Sequence, residues 1–268
     1  MSTLKHGLAA LMTTAAVTSV LAVSATAASA ATVAALTDGN TITWIDTAAA
    51  KVTGSVKLDG GASLVGIDVR PADGKLYGLA QDGAIVTVDP KSGKWEKKSQ
   101  LSEKLPAGAS FSVDFNPVAD RLRVIASDGT NLRINVDDGK ATVDGTLKYA
   151  ETDQGKGKTP RVTAAGYINS VAGTKETALY DIDEATGWLV KQAPPNDGVL
   201  VTVGALGVKI EGPMAFDIWS DGKGGNSAWL LTGGKLHDVD LKTGAAKAIG
   251  PVSGLKGRVT DMAILPGN

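Results

Sequence analysis

Residues 111–137 read Phe-Ser-Val-Asp-Phe-Asn-Pro-Val-Ala-Asp-Arg-Leu-Arg-Val-Ile-Ala-Ser-Asp-Gly-Thr-Asn-Leu-Arg-Ile-Asn-Val-Asp, and this stretch decides the fold. Three short runs in it alternate between apolar and polar residues, which is the pattern of a strand with one buried face. Asn116-Pro117 separates the first two runs, because proline cannot donate to a ladder. Ser127-Asp128-Gly129 separates the last two, because glycine adopts positive φ at no steric cost. The stretch therefore predicts three consecutive antiparallel strands.

The last two runs are predicted to pair as a hairpin about Gly129. This register places Arg123 opposite Asn135 and Arg121 opposite Asp137. Opposite charges that face each other across a sheet stabilise it by about 0.2–1 kcal/mol. We therefore expect paired charges on the polar side of this hairpin.

Weaker copies of the unit occur before and after it. Each copy has an acid at the end of its middle hairpin, at Asp46, Asp89, Asp137, Asp183 and Asp240. These acids are 43, 48, 46 and 57 residues apart. A period of about 40–50 residues, with four strands in each repeat, indicates the blades of a β-propeller.

The two ends of the chain suggest how the ring closes. An apolar strand precedes every copy except the first, at residues 64–69, 111–115, 162–168 and 214–218, and one further strand pattern, at 259–265, follows the last copy. Pairing of that strand with the N-terminal hairpin would remove the open edges of the ring. The sequence thus predicts an all-β fold, a β-propeller of five four-stranded blades closed by pairing of the N- and C-terminal strands. A six-bladed ring and an open β-sandwich are the alternatives.

The first 30 residues have the layout of a secretory signal peptide. Lys5 and His6 precede an apolar run from Leu8 to Val23, and Ala28-Ser29-Ala30 is a small-residue cleavage site. The apolar run is short for a membrane span. We therefore expect residues 1–30 to be removed, residues 31–268 to form a single domain without a membrane span, and the protein to be extracytoplasmic, either periplasmic or secreted.

Composition excludes several classes of function. Without the leader, the chain carries 26 basic and 28 acidic residues, so there is no basic field for nucleic acid. It has no cysteine and only one histidine, His237, which makes a zinc, copper or iron site improbable. His237 falls on a predicted strand and is expected to be a half-exposed strand residue without a catalytic role.

Residues 111–137, together with Leu179–Asp183 and Gln192–Asn196, resemble a bacterial secreted family filed as domain of unknown function 4394. The resemblance covers nearly all of the mature chain. It is most specific around Asn116-Pro117, residues 120–123 and residues 131–135. The family brings no established activity, cofactor or catalytic residue. The resemblance therefore implies a secreted all-β protein and leaves its function open.

Acidic residues recur on the predicted innermost strands, at Asp68, Asp114, Asp217 and Asp261. Converging carboxylates repel one another unless a hard cation such as Ca²⁺ or a basic partner lies among them. The simpler interpretation is that each caps a turn or pairs with a nearby arginine such as Arg70 or Arg121, and the sequence favours it. No cofactor is therefore predicted, with Ca²⁺ as the one alternative.

The polar face of the opening stretch supplies the candidate binding residues, which are Asp114, Asn116, Arg121, Arg123, Arg133 and Asn135. Arginine forks suit carboxylate, phosphate or sugar oxygens, and they also suit aspartates of neighbouring strands. The sequence favours the second possibility, in which the arginines pair with aspartates and so join neighbouring blades. The five tryptophans are scattered, about one in each blade, which indicates core packing.

These observations predict a binding module whose partner is an unknown small molecule, a glycan or a cell-envelope protein. The competing hypothesis is an enzyme, a carboxylate- or Ca²⁺-dependent hydrolase or lyase that acts on a saccharide or lactone. No catalytic residue and no metal ligand is assigned from the sequence. A role in binding rather than catalysis is favoured.

Overall fold

The structure, a computed structural model, describes residues 31–265. The predicted signal peptide lies outside the described residues. The described part contains 21 strands and two short 3₁₀ turns, Asp59–Gly61 and Pro195–Asp197. None of its helices is long and apolar enough to span a membrane.

In chain order, the strands are β1 (Thr32–Thr37), β2 (Thr41–Asp46), β3 (Lys51–Lys57), β4 (Leu64–Val69), β5 (Leu76–Ala80), β6 (Ala84–Val88), β7 (Trp95–Gln100), β8 (Phe111–Asn116), β9 (Arg121–Ala126), β10 (Asn131–Ile134), β11 (Ala141–Val143), β12 (Lys148–Tyr149), β13 (Val162–Tyr167), β14 (Leu179–Asp183), β15 (Trp188–Gln192), β16 (Val199–Ala205), β17 (Met214–Ser220), β18 (Asn226–Thr232), β19 (Lys235–Val239), β20 (Ala246–Pro251) and β21 (Val259–Leu265).

The strands form five sheets, which are the blades of a propeller. From the axis outward, blade 1 is β21-β1-β2-β3, blade 2 is β4-β5-β6-β7, blade 3 is β8-β9-β10-β11, blade 4 is β13-β14-β15-β16 and blade 5 is β17-β18-β19-β20. The short strand β12 adds to the outer edge of blade 4, parallel to β16. The predicted five-bladed propeller is confirmed, and so is its closure, because β21 pairs antiparallel with β1.

Burial decreases from the axis to the rim, and the sequence of each strand follows it. The innermost strands β8 and β13 are buried at nearly every position, so they carry apolar and small residues on both faces. The outermost strands β3 and β7 are mostly exposed and rich in lysine and serine. The position of a strand in its blade can therefore be read from its alternation.

The hydrophobic core lies between the blades. Five buried clusters occur, and each joins two neighbouring blades around the ring. Between blades 2 and 3, for example, the rings of Tyr77 and Phe115 meet edge to face with centroids 5.3 Å apart. Four of the tryptophans pack in or against these clusters, whereas Trp95 is exposed. The predicted use of tryptophan in the core is confirmed for those four.

Two local predictions are wrong. The β9–β10 hairpin is shifted by two residues from the predicted register, since Arg123 faces Arg133 and not Asn135. The turn closes between Ala126 and Thr130, so its centre precedes Gly129. The facing arginines are tolerated because both bind Asp144. His237, expected to be half-exposed, is 4% exposed, because its side of β19 packs against the core.

Removal of residues 259–268 takes away β21, which carries Asp261 and several buried apolar side chains. This leaves the inner edge of β1 unpaired and opens the ring between blades 5 and 1. We expect the shortened chain to lose cooperative unfolding in urea, followed by tryptophan fluorescence. A chain that lacks only residues 266–268 is the control and should unfold as the full chain does. Equal unfolding midpoints for the two shortened chains would contradict the role of closure.

Candidate functional site

Four aspartates meet at the axis of the propeller, one on each innermost strand except that of blade 4. They are Asp261 on β21, Asp68 on β4, Asp114 on β8 and Asp217 on β17, and all are buried. Each carboxylate accepts a hydrogen bond from a backbone N–H of the next blade around the ring. The donors are Ile67 to Asp261 (3.0 Å), Phe115 to Asp68 (2.6 Å), Tyr167 to Asp114 (3.1 Å) and Ile264 to Asp217 (2.7 Å). The carboxylates thus join neighbouring blades.

Blade 4 has no acid on its innermost strand, and its junction with blade 5 is apolar along β13. Hydrogen bonds from Ser170 to Ser220 and between Asn169 and Asn226 join the two blades beyond the end of that strand. Gly166 of β13 lies against Ile218 and Phe216 of β17, so closely that a Cβ there would be 3.0 Å from Cγ1 of Ile218. The junction between blades 3 and 4 has a second polar link, because the backbone N–H of Ala165 donates to Oγ of Ser112. The ring of carboxylates is therefore interrupted at one place only, where apolar packing replaces it.

The arginines expected to neutralise these acids lie elsewhere. Arg70 donates to Asp120 and Asp137 of blade 3 and to the hydroxyl of Tyr77. Arg121 donates to the backbone carbonyls of Ala119 and Asp120. The interpretation of the axial acids as partners of Arg70 or Arg121 is therefore wrong. Backbone N–H groups of neighbouring blades take that place.

Burial raises the pKa of all four axial carboxyls, and desolvation is the largest cause for each. Repulsion from Asp217 adds to the rise for Asp68, and repulsion from Asp68 adds to it for Asp114. The pKa of Asp217 rises less, to about 6, because backbone hydrogen bonds from Ile218 and Ile264 and a side-chain hydrogen bond with Asp114 oppose the desolvation. The group therefore holds protons at a pH where exposed aspartates are ionised.

Three of the four carboxyls offer a group of oxygens that suits a hard cation. One oxygen each of Asp68, Asp114 and Asp217 lies within 4.8 Å of the others. Asp68 and Asp217 also form part of a cavity of about 390 Å³ at one end of the channel, where the innermost strands end. We call this the end-face cavity. Carboxylate oxygens are the ligands that Ca²⁺ prefers, although most of these already accept N–H groups.

The six candidate binding residues do not come together in one site. All six lie in blade 3. Asp114 is at the axis, and the other five serve the turns of this blade or its junction with blade 4. Asn116 caps the backbone N–H groups of residues 118 and 119, and Asn135 caps that of residue 137. Arg133 binds Asp144 through two nitrogens. Each has a structural partner within the described part of the chain.

Arg123 has the most contacts of this set and joins blades 3 and 4. Its guanidinium is buried and donates to Asp144 and Asn131 of its own blade and to Tyr167 and Asn196 of blade 4. Because a buried charge without its partners is costly, this network fixes how the two blades meet.

A second cavity lies at the opposite end of the channel, where the innermost strands begin, and we call it the start-face cavity. It has a volume of about 410 Å³, and every blade contributes to it. Its polar lining residues include Arg161, Thr163, Glu184, Arg258 and Thr260, from blades 4 and 1, and its apolar lining residues include Leu64, Val65, Phe111, Pro213 and Met214, from blades 2, 3 and 5. A concave site of this size with a few convergent polar groups is the usual form of a small-molecule site.

The polar lining of the start-face cavity is built from one tripeptide that occurs twice. Arg-Val-Thr stands at residues 161–163 and again at residues 258–260. Each copy leads into an innermost strand, β13 in blade 4 and β21 in blade 1, so the arginine and the threonine of both copies reach the cavity from the two blades that flank blade 5. The sequence analysis missed these residues. Comparison of the innermost strands with one another would have revealed the repeated tripeptide.

A larger groove of about 1000 Å³ runs between blades 1 and 2 at the end face. Trp44 and Trp95 line it together with the lysines Lys75, Lys91 and Lys94. It draws residues from two blades only, and Trp95 and the two lysines of the β6–β7 turn are exposed. Its size alone does not make it the better site, because the groups that line it do not converge as those of the start-face cavity do.

Comparison with known proteins identifies the family. Residues 41–263 match the family described as Domain of unknown function (DUF4394), and the chain belongs to that family. No protein with a curated description matches the chain.

Solved structures resemble the chain in fold. A protein of unknown function from Bacteroides thetaiotaomicron is 15% identical, with a TM-score of 0.52, and the match covers 91% of this chain and 68% of that one. A protein of unknown function from Bacteroides caccae is 13% identical, with a TM-score of 0.44, over 83% of this chain and 73% of that one. An auxiliary nutrient binding protein from Bacteroides thetaiotaomicron is 10% identical, with a TM-score of 0.45, over 71% of this chain and 53% of that one.

The buried carboxyls predict that the protein loses stability as the pH rises above about 4. The pKa of each is higher in the folded chain than in the unfolded chain, so the unfolded chain releases its protons first. For Asp217 this stabilisation is complete below its ordinary pKa of 3.8 and declines until the pH passes about 6. That rise in pKa corresponds to about 3 kcal/mol. Outer aspartates with a lowered pKa, such as Asp137 and Asp240, also stabilise the folded chain, and their contribution is lost only when the pH falls below their ordinary pKa of 3.8.

The free energy of unfolding in urea, measured from pH 4 to pH 7, tests this directly. We expect it to fall across that range. Asp217→Asn should make the fall shallower between pH 4 and pH 6, since the titrating group is gone. Glu103→Gln changes an exposed acid and is the control. A free energy of unfolding that increases from pH 4 to pH 7 would show that the axial carboxyls are ionised in the folded protein.

Proposed function

We propose that the protein is an extracytoplasmic binding module that holds a small molecule in the start-face cavity. The observation that carries this proposal is the convergence of all five blades on one cavity of about 410 Å³ that is lined by both polar and apolar residues. Cavities of about 300–1,000 Å³ with such a lining are typical of small-molecule sites. The secretory layout of residues 1–30 supports the location outside the cytoplasm.

The construction of the propeller supports binding at this end of the channel. The walls are the first residues of the innermost strands, which the hydrogen-bonded ladders and the axial carboxylates hold in place. Binding groups on a rigid frame lose little conformational entropy when a ligand arrives. None of the groups at this mouth is a nucleophile paired with a base, which favours binding over catalysis.

A bulky side chain at Ser110 tests the site. Ser110 is exposed at the cavity wall, and its backbone bonds to Ser127 do not depend on its side chain. A thermal-shift screen of small metabolites and saccharides should yield ligands whose affinity Ser110→Trp lowers at least tenfold, because the indole occupies the cavity. The matched control, Ala107→Trp, lies on the same loop outside the cavity and should bind as the unmodified protein does. Ligands that bind Ser110→Trp normally would place the site elsewhere.

A second candidate function is a hydrolase or lyase that acts on a saccharide or lactone at the end-face cavity. The observation that favours it is the group formed by Asp68, Asp114 and Asp217, in which a carboxyl with a raised pKa lies beside other carboxyls. A carboxyl with a pKa of about 6 suits general acid catalysis near neutral pH. Ca²⁺ held by the three carboxylates would supply charge stabilisation for a developing oxyanion.

The second candidate predicts that Ca²⁺ stabilises the protein. After treatment with EDTA, addition of CaCl₂ should raise the melting temperature by several degrees, and Asp114→Asn should abolish the rise because one ligand is lost. Glu103→Gln should leave it unchanged. If neither EDTA nor Ca²⁺ moves the melting temperature of the unmodified protein, the calcium-dependent form of this function is excluded.

A further inference from the structure

We propose that the ligand of the start-face cavity is an organic anion, a carboxylate with an apolar body, bound through its charge by Arg161 and Arg258 and through a hydrogen bond by Thr163. This inference rests on the proposed binding function and names the chemical class of the ligand. The repeated Arg-Val-Thr tripeptide places the polar groups, and residues of blades 2, 3 and 5 supply the apolar surface.

The backbone of Arg258 is fixed on both sides. The N–H of Asp38 donates to its carbonyl at 2.8 Å, and its own N–H donates to the Asp38 carboxylate at 2.9 Å. The neighbouring Gly257 has a φ of +76° and lies so close to Asp38 that a side chain there would collide with the carboxylate. The base of the Arg258 side chain is therefore held at the cavity, and only the guanidinium is free to adjust.

Arg161 is anchored by an equivalent pair of bonds. The N–H of Glu184 donates to its carbonyl at 2.9 Å, and its own N–H donates to the Asp183 carboxylate at 2.9 Å. Both arginines thus directly precede an innermost strand and are tied to a turn of their own blade. The same pair of bonds holds Ser110 in blade 3 and Glu211 in blade 5, so it belongs to the propeller repeat. Blades 4 and 1 are distinguished by the arginine that stands at this position and lines the cavity.

The charges of the two guanidinium groups are only partly neutralised. Arg161 forms one ion pair, through Nε, with Glu184. Within residues 31–265, Arg258 forms no ion pair with an acid. Among the residues that line the cavity, two arginines and one glutamate leave an excess of one positive charge, and the Asp38 and Asp183 carboxylates bound to the arginine backbone are not part of the lining. A planar guanidinium offers paired N–H donors that match a carboxylate.

Thr163 provides an independent sign of a ligand. Its side chain is 6% exposed, and its Oγ1 is buried without a hydrogen-bond partner in the described part of the chain. A buried hydroxyl without a partner costs about 1–3 kcal/mol. Its counterpart Thr260 donates to the carbonyl of Leu36, so the tripeptide does not by itself leave the hydroxyl free. Thr163 lies in the wall of the cavity, and because its Oγ1 is shielded from solvent, a ligand atom pairs with it only after the side chain rotates toward the cavity.

The apolar lining of the cavity decides between an organic and an inorganic anion. Leu64, Val65 and Phe111 come from blades 2 and 3, and Pro213 and Met214 come from blade 5. Phosphate or sulfate would leave this apolar surface in contact with water. A carboxylate with an aromatic or aliphatic body covers it, and burial of apolar area contributes about 25 cal/mol per Å². The charged and the apolar lining residues together thus favour a ligand with one negative charge and an apolar body.

The experiment measures binding of matched carboxylates and amides to the purified protein by titration calorimetry. Benzoate and hexanoate are the test ligands, benzamide and hexanamide are their neutral counterparts, and inorganic phosphate is the anion without an apolar body, all at one ionic strength. We expect at least one carboxylate to bind at least tenfold more tightly than its amide and more tightly than phosphate. Arg258→Gln should weaken that binding at least tenfold. Thr163→Val, which keeps the shape of the side chain, should weaken it several-fold.

Lys256→Gln is the matched control, since it removes an exposed charge from the same loop outside the cavity and should leave binding unchanged. Urea unfolding of each variant checks that the fold is retained. If the Thr163→Val variant does not fold, Arg258→Gln and Arg258→Lys decide, with the lysine variant expected to restore part of the affinity.

Several results would overturn the inference. These are no binding by either carboxylate, equal binding of acid and amide, binding that Arg258→Gln leaves unchanged, and phosphate binding as tight as that of the carboxylates. The proposed function fails separately. If Ser110→Trp blocks a neutral ligand that Arg258→Gln binds normally, the cavity is a binding site for another class of ligand. If Ser110→Trp blocks no ligand at all, the cavity is not the site.

Discussion

The buried carboxylates at the axis are the constraint on which the rest of this structure depends. Innermost strands pair with a neighbour on one side only, so their free N–H groups need acceptors where water is scarce. Asp68, Asp114, Asp217 and Asp261 supply them, each to the next blade. The cost is a set of desolvated carboxyls with a raised pKa. Between blades 4 and 5, where no carboxylate bridges the axis, Gly166 packs against Ile218 and Phe216 instead, and Ser170 donates to Ser220 beyond the end of β13.

The same constraint shapes where a ligand can bind. The carboxylates lie in the channel and leave a cavity at each mouth. At the end face, the acids themselves are the wall, and much of their capacity is already used by backbone N–H groups. At the start face, the polar lining residues Arg161, Thr163, Arg258 and Thr260 take no part in the hydrogen bonds that join one innermost strand to the next. These polar residues can therefore change to suit a ligand without opening the ring. For this reason, the two arginines and Thr163 are stronger candidates for ligand binding than the polar residues of 111–137.

The candidate site shows why polar density in a sequence is a poor guide to function in a repeat protein. Arg123 and Arg133 stand out in the sequence, yet both bind Asp144, and Arg123 also joins blade 3 to blade 4. Arg161 and Arg258 are 97 residues apart and stand among ordinary neighbours. Only the ring brings them to one cavity. The error in the β9–β10 register has a similar origin, because Asp144 lies outside the hairpin and stabilises the facing arginines.

The sequence by itself determined the all-β class, the five blades and the closure by the last strand, because strand alternation and repeat spacing are local patterns that survive without knowledge of the contacts. It also placed all four axial acids on the innermost strands. The tertiary structure decided what those acids bind, which mouth of the channel gathers free polar groups and which arginines are available. The physical reason is that each of these properties depends on side chains and backbone groups that neighbouring blades bring together. The distance between such groups in space does not follow from their spacing along the chain.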